Sequence, residues 1–250
     1  MTRNLISAAV VAATLAAAGA ATAATPAPIA VAVADKGRPA ADVARDSARK
    51  PADMLTFAGV KSGDVVLELL PGGGYFTRIL SKAVGPKGHV YAAVPDPKGK
   101  FAEPAADAIA ADPAYANVSV ILAADPAAMA ALPPLDLIWT SQNYHDLHLS
   151  PLKLDVPGID KAWLKALKPG GVLMVIDHAA LPGAAVTETA DKLHRIDPAA
   201  ARAEIEGAGF TFAGQTDVLR NPADPHTAIV FDPSIRGKTD QFAFKFRKPG

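Results

Sequence analysis

The chain has 250 residues, half of them hydrophobic, which is enough to bury the core of one large globular domain or two small ones. Its 25 basic and 25 acidic residues give no net charge, so the basic surface of a nucleic-acid-binding protein is not expected. The chain has no cysteine, which excludes disulfides, thiolate metal sites, a cysteine nucleophile and a lipoprotein anchor.

The first residues have the composition of a secretory signal peptide. Arg3 precedes an Ala/Val/Leu-rich run at 5–18, and Ala21 and Ala23 supply the small residues that signal peptidase recognises. We therefore expect a signal peptide at 1–23, a periplasmic or secreted product, and no stable membrane insertion after cleavage. A single transmembrane anchor is the alternative, but the run is short and alanine-rich for that role.

The next segment, 24–45, is rich in Ala, Pro, Val and Gly and shows no sustained period, which predicts a flexible linker. The folded domain is expected to span 46–250. Its first helix is predicted from Pro51, which suits the first turn of a helix, to Gly59, which ends it.

Apolar runs that predict strands then alternate with segments of helical period. The predicted strands span 64–69, 89–94, 118–122, 135–140, 172–176, 210–218 and 240–246, and the helices between them span 75–84, 102–111, 126–131, 160–167 and 198–208. The strand at 135–140 is continuously apolar, as in a parallel sheet covered on both faces, and the last has the period of an antiparallel strand. The order predicts an α/β fold: a Rossmann-like, doubly wound, seven-stranded sheet, mostly parallel with an antiparallel C-terminal strand, in a three-layer sandwich.

A glycine-rich turn joins the first predicted strand to its helix. Glu68 lies near the end of the apolar run and is followed by Pro71, Gly72, Gly73 and Gly74. Because glycines carry no side chains, backbone N–H groups and the start of the helix can approach a ligand closely. The turn therefore predicts a site for a nucleotide-like ligand, and a tight turn without a ligand is the alternative.

A long loop, 141–158, follows the fourth predicted strand at the sheet edge where open α/β folds bind ligands. It contains Asn143, Tyr144, His145 and Asp146. His145 is the candidate general base, because a neutral imidazole accepts a proton near neutral pH. The alternative is that His145 and Asp146 only stabilise their loop through hydrogen bonds.

Together with Gly88–Ala92, Asp125, 135–138 and 167–171, the glycine turn makes residues 46–248 resemble a class I S-adenosylmethionine-dependent methyltransferase. Within that superfamily the chain is most similar to an exported bacterial group with an Asn-Tyr-His-Asp segment, 143–146, and a His-Arg-Ile-Asp segment, 194–197.

The resemblance implies S-adenosylmethionine as the cofactor and a small-molecule methyl acceptor. Glu68 would lie beneath the methionine moiety, and Asp125 would accept a hydrogen bond from the adenine amine. The implied cofactor site also contains Pro71, Gly72, Gly73, Gly74 and Asn143, and the implied catalytic residues are Tyr144, His145 and Asp146.

The chain departs from the family pattern at two places. The first glycine of the family motif falls at Leu70, and the acid that holds the ribose falls at Val94, which leaves Asp96 as the candidate ribose ligand.

Three other interpretations remain open. A dinucleotide site would need a third glycine where Thr77 stands. A noncatalytic, exported ligand-binding module could share the fold. A metal-assisted hydrolase could use the histidines of the long loop with Asp177, His178 and His194, but the spacing of His145 and His148 matches no known ligand motif, so no metal is predicted.

Overall fold

The computed structural model describes residues 24–95, 103–123 and 125–250. The predicted signal peptide, 1–23, and the predicted ribose ligand Asp96 therefore lie outside the described residues. Within the described ranges, no helix has the length and apolar character needed to cross a membrane.

A seven-stranded sheet forms the centre of the protein. Its strands are β1 Val65–Leu69, β2 His89–Val94, β3 Val118–Leu122, β4 Leu135–Ser141, β5 Leu167–His178, β6 Thr211–Thr216 and β7 Gln241–Arg247. They lie in the order β3-β2-β1-β4-β5-β7-β6. Strands β1 to β5 pair in parallel, and β7 runs antiparallel between β5 and β6. This arrangement confirms the predicted fold class.

Helices cover both faces of the sheet. They are α1 Ala27–Val33, α2 Ala40–Val43, α3 Asp46–Arg49, α4 Pro51–Ala58, α5 Tyr75–Val84, α6 Pro104–Ala111, α7 Pro126–Ala130, α8 Val156–Ala166, α9 Val186–Leu193 and α10 Pro198–Gly207, with 3₁₀ turns at Pro113–Tyr115 and His145–His148. Successive residues of β1 point to opposite faces, so Val66 joins a core with α1, α4 and α5, and Leu67 joins a core with α8 and α10. The sheet is thus the middle layer of three.

The segment predicted as a linker, 24–45, is instead folded onto the domain. Ile29 and Ala32 of α1 are each 1% exposed, and α1 packs against α5. The buried Arg38 pairs with Asp46 at 2.6 Å, and Asp46 also accepts a hydrogen bond from the Tyr75 hydroxyl at 2.6 Å. Alanine is a strong helix former, and a single buried pair at helical spacing is too short a pattern to read from sequence.

Two further helices differ from the prediction. Helix α9 falls in a stretch where no helix was predicted, and α8 begins at Val156 because the Asp155 carboxylate accepts from the Gly158 N–H at 3.1 Å. Helix α10 is capped by Asp197, whose carboxylate accepts from the Ala199 N–H at 2.9 Å.

Candidate functional site

A cavity of about 480 Å³ opens at the carboxyl ends of β1 and β4. Its walls are the turn after β1, the loop after β4 and the arginines Arg45 and Arg49 around α3, together with Glu103, His194 and Phe231. In a doubly wound sheet this is the edge where crossovers to opposite faces leave a crevice. The fold therefore places the glycine turn and the long loop on either side of one cavity.

The turn after β1 is built from left-handed backbone. Leu70, Gly72 and Gly74 have φ angles of 49°, 57° and 76°. A Cβ added at Gly72 or Gly73 would meet nothing within 4 Å, and both residues line the cavity. A Cβ added at Gly74 would instead overlap Cδ1 of Ile109 on α6. Gly72 and Gly73 thus keep the cavity open, whereas Gly74 allows the turn to pack against α6.

Glu68 lies beneath this turn and lines the cavity. The residue is 3% exposed, and its Oε2 has no hydrogen-bond partner within the described part of the chain. Burial raises its pKa to about 7, although the nearby Arg49 guanidinium favours the ionised form. A buried carboxylate oxygen without a partner is costly, so this atom is available to a cationic or hydrogen-bond-donating ligand.

Asn143 fixes the turn from the other side of the cavity. Its Nδ2 donates to the carbonyl oxygens of Leu69 and Leu70, at 3.2 and 2.8 Å. Its Oδ1 accepts from the Thr140 hydroxyl at 3.0 Å and from the Ser141 N–H at 2.9 Å. Two bonds reach the end of β1 and two reach the end of β4, so Asn143, which also lines the cavity, holds the two ligand-facing loops together.

Tyr144 and His145 point in opposite directions from the 3₁₀ turn. Tyr144 is fully buried away from the cavity, and its hydroxyl donates to Asp160 at 2.9 Å. Burial, followed by the charges of Asp160 and Glu204, raises the pKa of this hydroxyl far above its usual value. His145 and Asp146 face the cavity. His145 and Asp146 thus lie at the site, whereas Tyr144 stabilises their loop from the interior of the protein.

His145 belongs to a compact polar cluster with Asp146, Asp177 and His194. Its Nδ1 lies 2.7 Å from Oδ1 of the fully buried Asp177, and its backbone N–H donates to Oδ2 of the same carboxylate at 2.7 Å. Burial opposes the charge on His145, but the carboxylates of Asp177 and Asp146 outweigh it and raise its pKa to about 10. Burial also raises the pKa of Asp146, but the hydrogen bonds from His145 and His194 outweigh burial and hold this pKa well below the usual range.

Arginines also line the cavity. The Arg49 guanidinium lies 4.6 Å from the ring centre of Tyr75 and 4.7 Å from that of Phe76, and it donates to the Ser141 hydroxyl at 2.9 Å. Burial lowers its pKa to about 10. Such a desolvated cation next to a cavity is suited to an anionic ligand.

A second cavity of about 430 Å³ adjoins the first. Arg45, Arg49 and Phe231 line both cavities, and Arg236 and His178 line the second alone. Among the described residues, the second cavity has three arginines and no acidic residue in its wall. The two cavities therefore form one site with a cationic end.

Of the two acids predicted to bind adenosine, Asp125 does not line the cavity. Asp96 lies outside the described residues. Asp125 is exposed and caps α7, where its carboxylate accepts from the Ala127 N–H at 2.8 Å. Glu103, which precedes α6, does line the cavity, and burial raises its pKa to about 6. Sequence reasoning missed Glu103, although an acid after the second strand of such a fold is a signal for ribose binding.

Comparisons with known proteins agree with this fold. No protein-family model matches the chain. The protein-L-isoaspartate O-methyltransferase of Ignicoccus hospitalis is 30% identical over 122 residues, which are 49% of this chain and 51% of the relative. The chain thus spans about half the length of the curated relative it matches.

Solved structures match over most of the chain. A SAM-dependent methyltransferase from Aquifex aeolicus has a TM-score of 0.58 at 21% identity and covers 82% of this chain and 92% of its own. An arsenic(III) S-adenosylmethionine methyltransferase from Chlamydomonas reinhardtii has a TM-score of 0.52 at 19% identity, with coverages of 91% and 75%. Fibrillarin from Aeropyrum pernix, with natively bound S-adenosyl-L-methionine, has a TM-score of 0.50 at 15% identity, with coverages of 81% and 76%. The chain therefore has the Rossmann-like fold of class I S-adenosylmethionine-dependent methyltransferases.

Proposed function

We propose that the protein is a methyltransferase that transfers the sulfonium methyl group of S-adenosylmethionine to a small, negatively charged acceptor. The observation that carries this proposal is a carboxylate oxygen of Glu68 that has no partner among the described residues and lies beneath a glycine turn that is open to the cavity. The fold and the methyltransferase relative support the same activity.

The residues around the turn suit this cofactor. S-adenosylmethionine carries an ammonium group, and the buried Glu68 carboxylate offers it a charge-assisted hydrogen bond. Gly72 and Gly73 leave room for the cofactor's methionine end, and Asn143 holds the turn in place. Glu103 supplies a carboxylate for the ribose hydroxyls, a role for which the sequence offered only Asp96.

Methyl transfer is an in-line displacement, and it depends mainly on holding donor and acceptor close and aligned. The cofactor supplies the electrophilic methyl group. The chain supplies the enclosure: Glu68 and the turn fix one end, and His145 and Asp146 border the space beside it. Tyr144 contributes indirectly, through its hydrogen bond to Asp160 beneath the loop.

The charge of the acceptor follows from the second cavity. Arg45, Arg49 and Arg236 surround it, and a carboxylate or phosphate group would pair with their guanidinium groups. A panel of small carboxylates and phosphates with matched neutral amides, assayed for production of S-adenosylhomocysteine, tests this point. Anionic acceptors should be preferred, and Arg236→Gln should raise their KM. A preference for the neutral compounds would refute the proposed acceptor class.

Cofactor binding can be tested without knowing the acceptor. Calorimetry with S-adenosylmethionine and S-adenosylhomocysteine should show binding to the wild-type protein. Gly73 has ordinary backbone angles and open space around its Cβ position, so Gly73→Val should fold normally and still block the cofactor. Exposed Gly207→Ala on α10 is the matched control. Absence of heat at millimolar ligand would refute the methyltransferase proposal.

We also propose that the protein is exported, on the basis of the signal-like composition of 1–23. A fusion of residues 1–30 to a reporter should place the reporter outside the cytoplasm. Retention of the fusion in the cytoplasm would contradict this localisation.

A further inference from the structure

We propose that His145, Asp146 and His194 form a binding site for a divalent transition metal, best suited to zinc, at the wall of the larger cavity. Nε2 of His145 lies 3.2 Å from Oδ1 of Asp146 and 3.3 Å from Nδ1 of His194. The third side of this triangle, from Nδ1 of His194 to Oδ1 of Asp146, is 3.4 Å. Two imidazoles and a carboxylate thus bring one potential ligand atom each into a single compact group.

The triangle has the size of one face of a tetrahedral zinc site. Zinc binds imidazole nitrogen and carboxylate oxygen at about 2.0–2.1 Å, so neighbouring ligand atoms in a tetrahedron are about 3.3–3.4 Å apart. An octahedral site with the same bond lengths would need separations of about 2.9 Å. The observed distances of 3.2 to 3.4 Å fit the tetrahedral case.

Asp177 prepares His145 for this role. Its carboxylate accepts hydrogen bonds from the backbone N–H groups of His145 and His178, each at 2.7 Å. The third neighbour of this carboxylate is Nδ1 of His145, towards which the carboxylate also acts as an acceptor. The Nδ1 atom of His145 therefore carries a proton, and Nε2 is the atom that faces Asp146 and His194. A carboxylate behind a ligating histidine is the usual support of a zinc site.

His194 is held by its neighbour in the chain. Arg195 is fully buried, pairs with Asp224 at 2.8 Å and donates to the Ala179 carbonyl at 2.9 Å. The Ile196 N–H donates to the His178 carbonyl at 3.0 Å, next to Asp177 in β5. His145 and His194 are thus fixed to the same end of β5, which holds their ring nitrogen atoms at a constant distance from each other.

The fourth tetrahedral position would face the cavity, because His145, Asp146 and His194 all line it. Three protein ligands with one open position are typical of catalytic rather than structural zinc sites. This assignment departs from the expectation, drawn from sequence spacing alone, that no metal binds. It rests on the cluster geometry and does not depend on methyl transfer.

The experiment measures metal binding directly, in the absence of cofactor. Full-length protein is purified, its metal content is determined by mass spectrometry, and chelator-treated protein is titrated with Zn²⁺ and Co²⁺. We expect one equivalent of zinc, intense visible absorption from tetrahedral Co²⁺, and a rise in Tm with zinc. Asp146→Asn and His194→Ala should each weaken zinc binding at least a hundredfold, and Asp177→Asn should weaken it about 10- to 100-fold.

His89→Ala is the matched control, since His89 lies at the start of β2 and bonds to Ser119. It should bind zinc as the wild type does. Asp146 and His194 are partly exposed, so their substitution should leave the protein folded. Thermal unfolding of each variant in the presence of chelator checks this. Absence of stoichiometric zinc or of the Co²⁺ bands, or zinc binding that survives both Asp146→Asn and His194→Ala, would overturn the proposal. In that case, a hydrogen-bonded proton on Nε2 of His145 would hold the cluster together in place of a metal ion.

Discussion

Replacing Glu68 by glutamine should stabilise the protein without ligand at alkaline pH and impair its cofactor site. The pKa of Glu68 is raised to about 7, whereas the ordinary value is 4.5. The folded state therefore holds the proton more tightly than the unfolded state, and the free energy of unfolding falls as the pH rises from 4.5 to 7. The gap between the two pKa values corresponds to about 3 kcal/mol. Glutamine, which is neutral and nearly isosteric, avoids this cost.

Urea unfolding of wild type and Glu68→Gln at pH 4.5, 6 and 8 measures the effect. The variant should match the wild type near pH 4.5 and exceed its free energy of unfolding by up to about 3 kcal/mol at pH 8. Glu206 on α10 is exposed, so Glu206→Gln serves as the control and should show no pH-dependent difference of that size. A Glu68→Gln variant that is less stable than wild type at pH 8, or a difference independent of pH, would refute the reasoning.

Four more substitutions test the loops around the cavity. Asn143→Ala leaves the Leu70 carbonyl and the Ser141 N–H without their partner, so urea unfolding should show a loss of about 1–3 kcal/mol. Gly74→Ala, which overlaps Ile109, should cost about 2–4 kcal/mol, whereas Gly72→Ala, with open space, should cost about 1 kcal/mol; equal losses would contradict the packing argument. Glu103→Gln should weaken S-adenosylmethionine binding in calorimetry, and unchanged affinity would exclude the ribose contact.

Local patterns were sufficient to predict most of the sheet and its first crossover. The predicted bounds of α5, β2 and β3 coincide with the structure, because an apolar run is the signal of a buried strand, and the glycines and prolines around α5 and β2 also end these elements physically. The glycine turn was found for the same reason. Its departure at Leu70 is accommodated by left-handed backbone, with a φ of 49°.

Residues that depend on long-range contacts could not be predicted in the same way. Asp177 meets His145 across 32 positions of the chain, and their pairing follows from the alignment of β4 with β5. Tyr144 and His145 are adjacent in a loop without a period, so the sequence does not show which of them faces the cavity. Arg49 belongs to a segment whose packing depends on the hydrogen bond between Asp46 and Tyr75, which are 29 positions apart.

The cavity carries charges of both signs, which suits the proposed reaction. Glu68 and Glu103 line it, and so do Arg45 and Arg49. Arg49 favours the ionised form of Glu68. A cationic methyl donor that pairs with Glu68 competes with that attraction and leaves the desolvated Arg49 in greater need of an anion. Donor binding should therefore strengthen acceptor binding, and by linkage the acceptor should strengthen donor binding equally.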